Sequence, residues 1–121
     1  MRLKNFLIVV EDIERSKEFY KNIFGLDVVR DFDTNVILTQ GLVLQQRLQW
    51  EQAIAEEVTY GGNAIILYFE EYELEKFERK IEESGWEISF LNRLQTLENG
   101  QKMIRLHDPD GHIIEIRESI I

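Results

Sequence analysis

Apolar residues along the chain fall into short runs separated by polar turns, and the spacing within the runs alternates between strand and helix periods. Phe6–Val10 is solidly apolar and rich in β-branched residues, which predicts a strand buried on both faces. Asp12 is a good N-cap. Ile13, Phe19, Tyr20, Ile23 and Phe24 follow at helical spacing, and Gly25 supplies a left-handed stop. Val28–Phe32, Val36–Gln40 and Leu42–Leu48 read as three more strands, broken at Asp33-Thr34-Asn35 and at Gly41. The first half therefore reads β-α-β-β-β.

The second half repeats that order. Ala64–Phe69 is an apolar β run, and Tyr72–Ser84 is helical with Leu74, Phe77 and Ile81 on one face before Gly85. Trp86–Leu91 reads as a strand, and the connection after it contains the turn pair Asn99-Gly100. Lys102–His107 and His112–Arg117 flank Asp108-Pro109-Asp110-Gly111, a turn in which Pro fixes φ and Gly supplies a positive φ. Glu11-Asp12 and Glu70-Glu71 follow the two first strands, and Gly25 and Gly85 end the two helices, at an offset of about sixty residues in both cases. A near-constant offset with one element order is the mark of an internal duplication. The expected organisation is a single α+β domain with one module over 1–48, a connecting segment over 49–63 and a second module over 64–121. The connecting segment carries Trp50, Tyr60, Gly61 and Gly62 and is long enough to serve as a lid or binding loop.

Composition narrows the partners. The 121 residues are 44% hydrophobic and 31% charged, as in a globular domain with a real core. Lys plus Arg is 14 against 23 Asp plus Glu, a formal charge of −9, so neither nucleic acid nor an anionic membrane surface is an expected partner. With no Cys, a disulfide framework, a thiolate nucleophile and a Cys-based zinc site are excluded. Ala64–Phe69, the longest apolar run, is far too short to span a bilayer. The N-terminus starts basic but meets Glu11-Asp12 too early for a signal peptide, so a cytoplasmic protein is expected.

Asp12-Ile13-Glu14-Arg15-Ser16-Lys17-Glu18-Phe19-Tyr20, followed by Phe24-Gly25-Leu26, resembles the first-module signature of the vicinal oxygen chelate superfamily. That superfamily contains glyoxalase I, bleomycin-resistance proteins, fosfomycin-resistance enzymes and extradiol dioxygenases. Asp108-Pro109-Asp110-Gly111-His112-Ile113-Ile114-Glu115-Ile116 resembles its C-terminal signature, so the likeness covers essentially the whole chain. The resemblance implies two βαβββ modules, each curling a mixed sheet around a concave pocket with helices outside, and a homodimer. It also implies places for a divalent metal on the inner strands. These fall at Asn5, at Ala64, at Glu115 and, within Leu42–Leu48, at Gln45. Only Glu115 is a carboxylate there, while Ala64 offers no donor and Asn5 and Gln45 offer neutral amides. Catalytic metals want several imidazole or carboxylate ligands, so a tightly held metal is not expected. If a metal or a catalytic group is present, Glu115 is the residue to supply it. His107 and His112 lie beside the Asp108–Gly111 turn, off the family's ligand places, and read as turn-flanking residues.

Strand alternation then sorts the pocket face. With Leu44 and Leu48 toward the helices, Val43, Gln45 and Arg47 face the concavity. With Ile65, Leu67 and Phe69 toward the helices, Ala64, Ile66 and Tyr68 face it, and so do Ile113, Glu115 and Arg117. Two arrangements are open for Lys102–His107. Either Ile104 and Leu106 face outward and Met103, Arg105 and His107 face in, or a regular four-residue loop pairs His107 with His112 and reverses the choice, unless a bulge intervenes. The candidate ligand-binding set is Asn5, Gln45, Arg47, Tyr68, Arg105 and Glu115. Arg suits a planar anion, and Tyr68, with Trp50 or Tyr60 from the connection, could stack on a flat ligand. The plainer alternatives are that Arg47 and Glu115 neutralise each other and that Trp50 and Tyr60 cover core or a subunit interface.

No phosphate loop, serine-nucleophile motif or HExxH motif occurs. The acidic stretch from Glu70 to Glu83 reads as a solvated helix face with Glu75 and Arg79 at i,i+4. Three functions remain in play. The leading one is a metal-independent binder of a small flat or anionic molecule. Its rivals are a metal-dependent lyase or dioxygenase using Glu115, and a pure interaction module.

Overall fold

The computed structural model describes residues 1–119 and divides into two compact units, Met1–Thr59 and the chain from Tyr60 onward. The division falls inside the segment expected to connect the modules. The first unit runs β1 (Phe6–Val10), α1 (Ile13–Phe24), β2 (Val28–Asp31), β3 (Asn35–Leu38), a 3-10 turn (Thr39–Gly41), β4 (Leu42–Gln46) and α2 (Arg47–Ile54). The second runs β5 (Ile66–Glu71), α3 (Leu74–Glu83), β6 (Ser89–Thr96), β7 (Lys102–His107) and β8 (Ile113–Glu118).

Each unit forms one open four-stranded mixed sheet, in the order β1-β4-β3-β2 and β5-β8-β7-β6. The first strand of each unit pairs in parallel with the last, and the remaining pairs are antiparallel. The expected duplication is therefore present as two sheets of one topology.

Local chemistry sets the helix ends. The Asp12 carboxylate accepts the Arg15 N–H at 3.1 Å, and Gly25 closes α1 at φ 69°. The start of α3 has no cap from its own Glu73; instead Glu118 of β8 accepts the Leu74 N–H at 3.0 Å.

α1 packs over β4, and α3 packs over β6 and β8. In the first unit Ile8, Val10, Tyr20, Ile23, Val36, Leu38 and Leu44 are buried between sheet and helix. Their counterparts in the second unit are Leu74, Phe77, Ile81, Ile104, Leu106, Ile114 and Ile116. Phe19 and Tyr20 meet edge to face, with centroids 5.1 Å apart.

Several expected boundaries shift. The strand expected over Val36–Gln40 stops at Leu38, because Gln40 takes a left-handed φ of 63° inside the tight turn. The strand expected over Leu42–Leu48 stops at Gln46, and the supposed loop after it opens with α2. Arg47-Leu48-Gln49-Trp50-Glu51-Gln52-Ala53 is a run of helix formers, and Arg47 pairs with Glu51 one turn on. Leu48 consequently points outward and is half exposed instead of facing α1. β6 starts later and runs longer than Trp86–Leu91, with register shifts on either side of Asn92. Glu75 bonds Lys102 of β7 at 2.7 Å, so its hydrogen-bonded partner is not Arg79.

Candidate functional site

The face of each sheet away from its helix carries the residues of interest. In the second unit, His107 pairs with Ile113 and Arg105 with Glu115, in unbroken register between β7 and β8. The connection is five residues long, Asp108 to His112, and this puts Met103, Arg105 and His107 on the open face without a bulge. Tyr68 of β5 lies beside Glu115 on the same face and is 56% exposed.

Glu115 is itself buried, 8% exposed, and both its oxygens are taken. Arg105 Nε donates to Oε1 at 2.6 Å, and Arg117 Nε donates to Oε2 at 2.8 Å. Each arginine is fixed a second time. Arg105 Nη1 donates to Asn92 Oδ1 at 3.0 Å, and Arg117 Nη1 donates to Gln101 Oε1 at 3.3 Å. The Arg117 guanidinium also stands 5.7 Å from the centre of the Tyr68 ring. Among the described residues, nothing bonds Nη2 of either arginine. Burial alone would raise the Glu115 carboxyl pKa, but the bonds from Arg105 and Arg117 outweigh it and hold the carboxyl below its ordinary value. Two guanidiniums around one carboxylate leave a net positive charge, with two amino groups unspent.

The open face of the first unit is neutral at the same register. Asn35 pairs with Gln45, and its Nδ2 donates to Gln45 Oε1 at 2.9 Å. Gln45 Nε2 donates in turn to the carbonyls of Thr34 and Gln46. Asn5 precedes β1 and is half-buried beside Gly41, where an added Cβ would stand 3.7 Å from Asn5 Oδ1 and 3.3 Å from the Lys4 carbonyl. Gly41 also holds a φ of 83°, so a larger residue there would be strained as well as tight against the Lys4 carbonyl.

Arg47 is not on the open face of β4 as expected. It opens α2, donates to both Glu11 oxygens and bonds Glu51 at 2.6 Å. Glu51 in turn accepts the Val58 N–H at 2.9 Å, which ties the end of the segment to α2. The sequence suggests that Arg47 and Glu115 neutralise each other; within its own unit Arg47 has Glu11 and Glu51 as acidic partners, and within its own unit Glu115 has Arg105 and Arg117. Ala64 is exposed and precedes β5.

A third cluster organises the β7–β8 turn. The Asp108 side chain is fully buried. Its Oδ1 accepts the N–H groups of Asp110 and His112, both at 2.9 Å, and its Oδ2 lies 2.7 Å from His112 Nδ1. Burial lowers the His112 pKa, but the bond to Asp108 and the charges of Asp108 and Asp110 outweigh it and leave the imidazole above its ordinary value. Tyr60 packs edge-on against the His112 ring at 6.1 Å, which makes it part of this turn. One ligand atom from each of Asp108, Asp110 and His112 lies within 4.8 Å of the others, so these three could hold a divalent cation. His107 points elsewhere, to Ser89 Oγ at 3.1 Å.

The places where superfamily resemblance puts a metal do not fit one. Glu115 would have to release two charge-assisted bonds, the Gln45 oxygen already accepts from Asn35, and Ala64 has no donor atom. The residues that sequence reasoning missed are Asn92, Gln101 and the bond from Arg117 to Glu115. The parity of β8 put Arg117 on this face, and that was the available signal. The bulges beside Asn92 erased the corresponding signal in β6.

Two open sheets of identical topology, an Asp-Pro-Asp-Gly turn and a buried carboxylate at one register position define a glyoxalase-like domain. Residues 3–121 match the family model described as Glyoxalase-like domain, and the chain belongs to that family, within the vicinal oxygen chelate superfamily. It is 28% identical over 114 residues to the metallothiol transferase FosB of Lysinibacillus sphaericus, covering 93% of this chain and 79% of that protein. Among solved structures, it is similar to a protein of unknown function from Agrobacterium tumefaciens, with 31% identity and a TM-score of 0.85 over 99% of this chain and 95% of that one. A glyoxalase-related enzyme from Fulvimarina pelagi shares the fold at 19% identity and a TM-score of 0.81, over 98% of this chain and 88% of that one. No helix among the described residues is long and apolar enough to cross a membrane.

Proposed function

We propose that this chain binds a small anionic molecule on the open face of its second sheet, without a divalent metal at the places its superfamily uses. The observation that carries this reading is the pairing of both Glu115 oxygens with Arg105 and Arg117. A carboxylate so engaged serves as a counter-ion and is a poor metal ligand. The guanidiniums it fixes are part-exposed and keep Nη2 donors for an incoming anion. Arg105, Tyr68 and Glu115 belong to this reading, together with Arg117. Asn5 and Gln45 stand at the matching positions of the first unit, where Gln45 is held by Asn35, and Arg47 is a fastening for α2. The expected setting is a cytoplasmic homodimer.

A second reading has its own support. The likeness to a metallothiol transferase and the Asp108–Asp110–His112 cluster favour a metal-dependent enzyme. Metal content of the purified protein, with thermal shifts on adding Ni, Zn, Mn or Fe(II), separates the two. The proposal expects no stoichiometric metal whose binding depends on Glu115. Tight metal lost in Glu115→Ala would overturn it, whereas metal lost only in Asp108→Asn would point to the turn.

A further inference from the structure

We infer that Glu115 sets the charge of ligand the site accepts, and that the ligand is a flat monocarboxylate. This rests on the proposed anion-binding reading and adds a ligand class and a specificity-determining residue to it. The fork that Arg105 and Arg117 form around Glu115 holds two positive charges and one negative, a net of one. Attraction of an anion to such a site grows linearly with the anion's charge, whereas the cost of removing it from water grows with the square. A net charge of one therefore favours a monoanion, and a net charge of two moves the optimum to a dianion.

Hydrogen bonding points the same way. The unspent Nη2 groups offer four N–H donors, and a carboxylate has about four lone-pair sites to receive them. Planar guanidiniums match planar carboxylates. The body of the ligand has a place as well. Tyr68 and Ile66 stand on the same face of β5, 56% and 47% exposed, and the Tyr68 ring adjoins Arg117. An aromatic ring laid on that apolar strip would place its carboxylate at the fork.

The test is calorimetric titration of the whole protein with benzoate and with phenyl phosphate at pH 7.5, where the phosphate monoester is essentially a dianion. Wild type should prefer benzoate by at least about fivefold, and Glu115→Gln should reverse the preference by at least about tenfold. Asn92→Asp, which adds a negative charge beside Arg105, should lose benzoate at least about tenfold and serves if the Gln variant fails to fold. Wild type preferring phenyl phosphate, or Glu115→Gln leaving the preference unchanged, overturns the inference while anion binding itself stands. Neither probe binding to any variant overturns both the inference and the reading beneath it.

Discussion

The two sheets use one frame for opposite chemistry. Asn35, Gln45 and Arg47 in the first unit stand at the same spacing as Arg105, Glu115 and Arg117 in the second. In the first, an amide bonds an amide at 2.9 Å and the arginine has left the strand for α2. In the second, an ion pair closes at 2.6 Å and the arginine stays on β8 to grip the same carboxylate. The pairing register is common to both, so register does not decide the chemistry. What decides it is whether the last strand continues past the residue after Gln45 or Glu115. β4 ends at Gln46, and β8 runs on to Glu118. A duplicated fold can thus keep one half inert and charge the other.

The comparison can be pressed at four points, in falling order of effect. The helix-facing cores should behave alike, so Leu44→Ala and Ile114→Ala should each cost about 3 to 4 kcal/mol in urea unfolding. A gap above about 2 kcal/mol between them would break the equivalence of the two cores. The turns should differ. Asp108→Ala removes a buried acceptor of three bonds and should cost about 3 kcal/mol. Thr39→Ala in the matching turn, where the hydroxyl accepts only the exposed Asp27 N–H, should cost about 0.5 kcal/mol.

On the open faces, Glu115→Ala leaves two guanidiniums facing each other and should cost about 2 kcal/mol, discounted for their part exposure. Gln45→Ala should cost about 1 kcal/mol. Equal losses would remove the contrast between the faces.

The smallest effect is on pH dependence. His112 titrates above its ordinary value of 6.5 when folded, so its pair with Asp108 contributes fully below that pH and fades as pH rises through the folded value. Glu115 has the opposite sign: its contribution is present above 4.5 and fades as pH falls through its lowered folded value. Melting temperatures across pH 5 to 9 should therefore slope downward on the alkaline side, and His112→Gln should flatten that slope.

Much of this was legible in the chain. Apolar runs gave the strands in their order, with β6 caught only over its first three residues, Asp12, Gly25 and Gly85 marked helix ends, and the repeated order revealed the duplication. The start of α2 was not legible, because Leu42–Leu48 alternates like a strand while Arg47 onward also suits a helix. Tertiary context decides such overlaps. The side-chain fork was half legible. Alternation put Glu115 and Arg117 on one face. Arg105 needed the register of β7 against β8, which turned on a connection of five residues instead of four. Asn92 lay behind two bulges that no sequence period announces.

The parallel pairing of β5 with β8 also dictates an order of assembly. β4 is the inner strand of the first sheet, and its residues have all been made by Gln46, so that sheet can close early in synthesis. β1 waits unpaired for β4, and β5 waits in the same way for Ile113–Glu118 while α3, β6 and β7 emerge. The first turn of α3 waits with it, since the carboxylate that receives the Leu74 N–H belongs to Glu118. On the ribosome, each half is therefore an open, aggregation-exposed segment until its last strand arrives, and the second closes over the longer stretch of chain, Ile66 to Ile113 against Phe6 to Leu42.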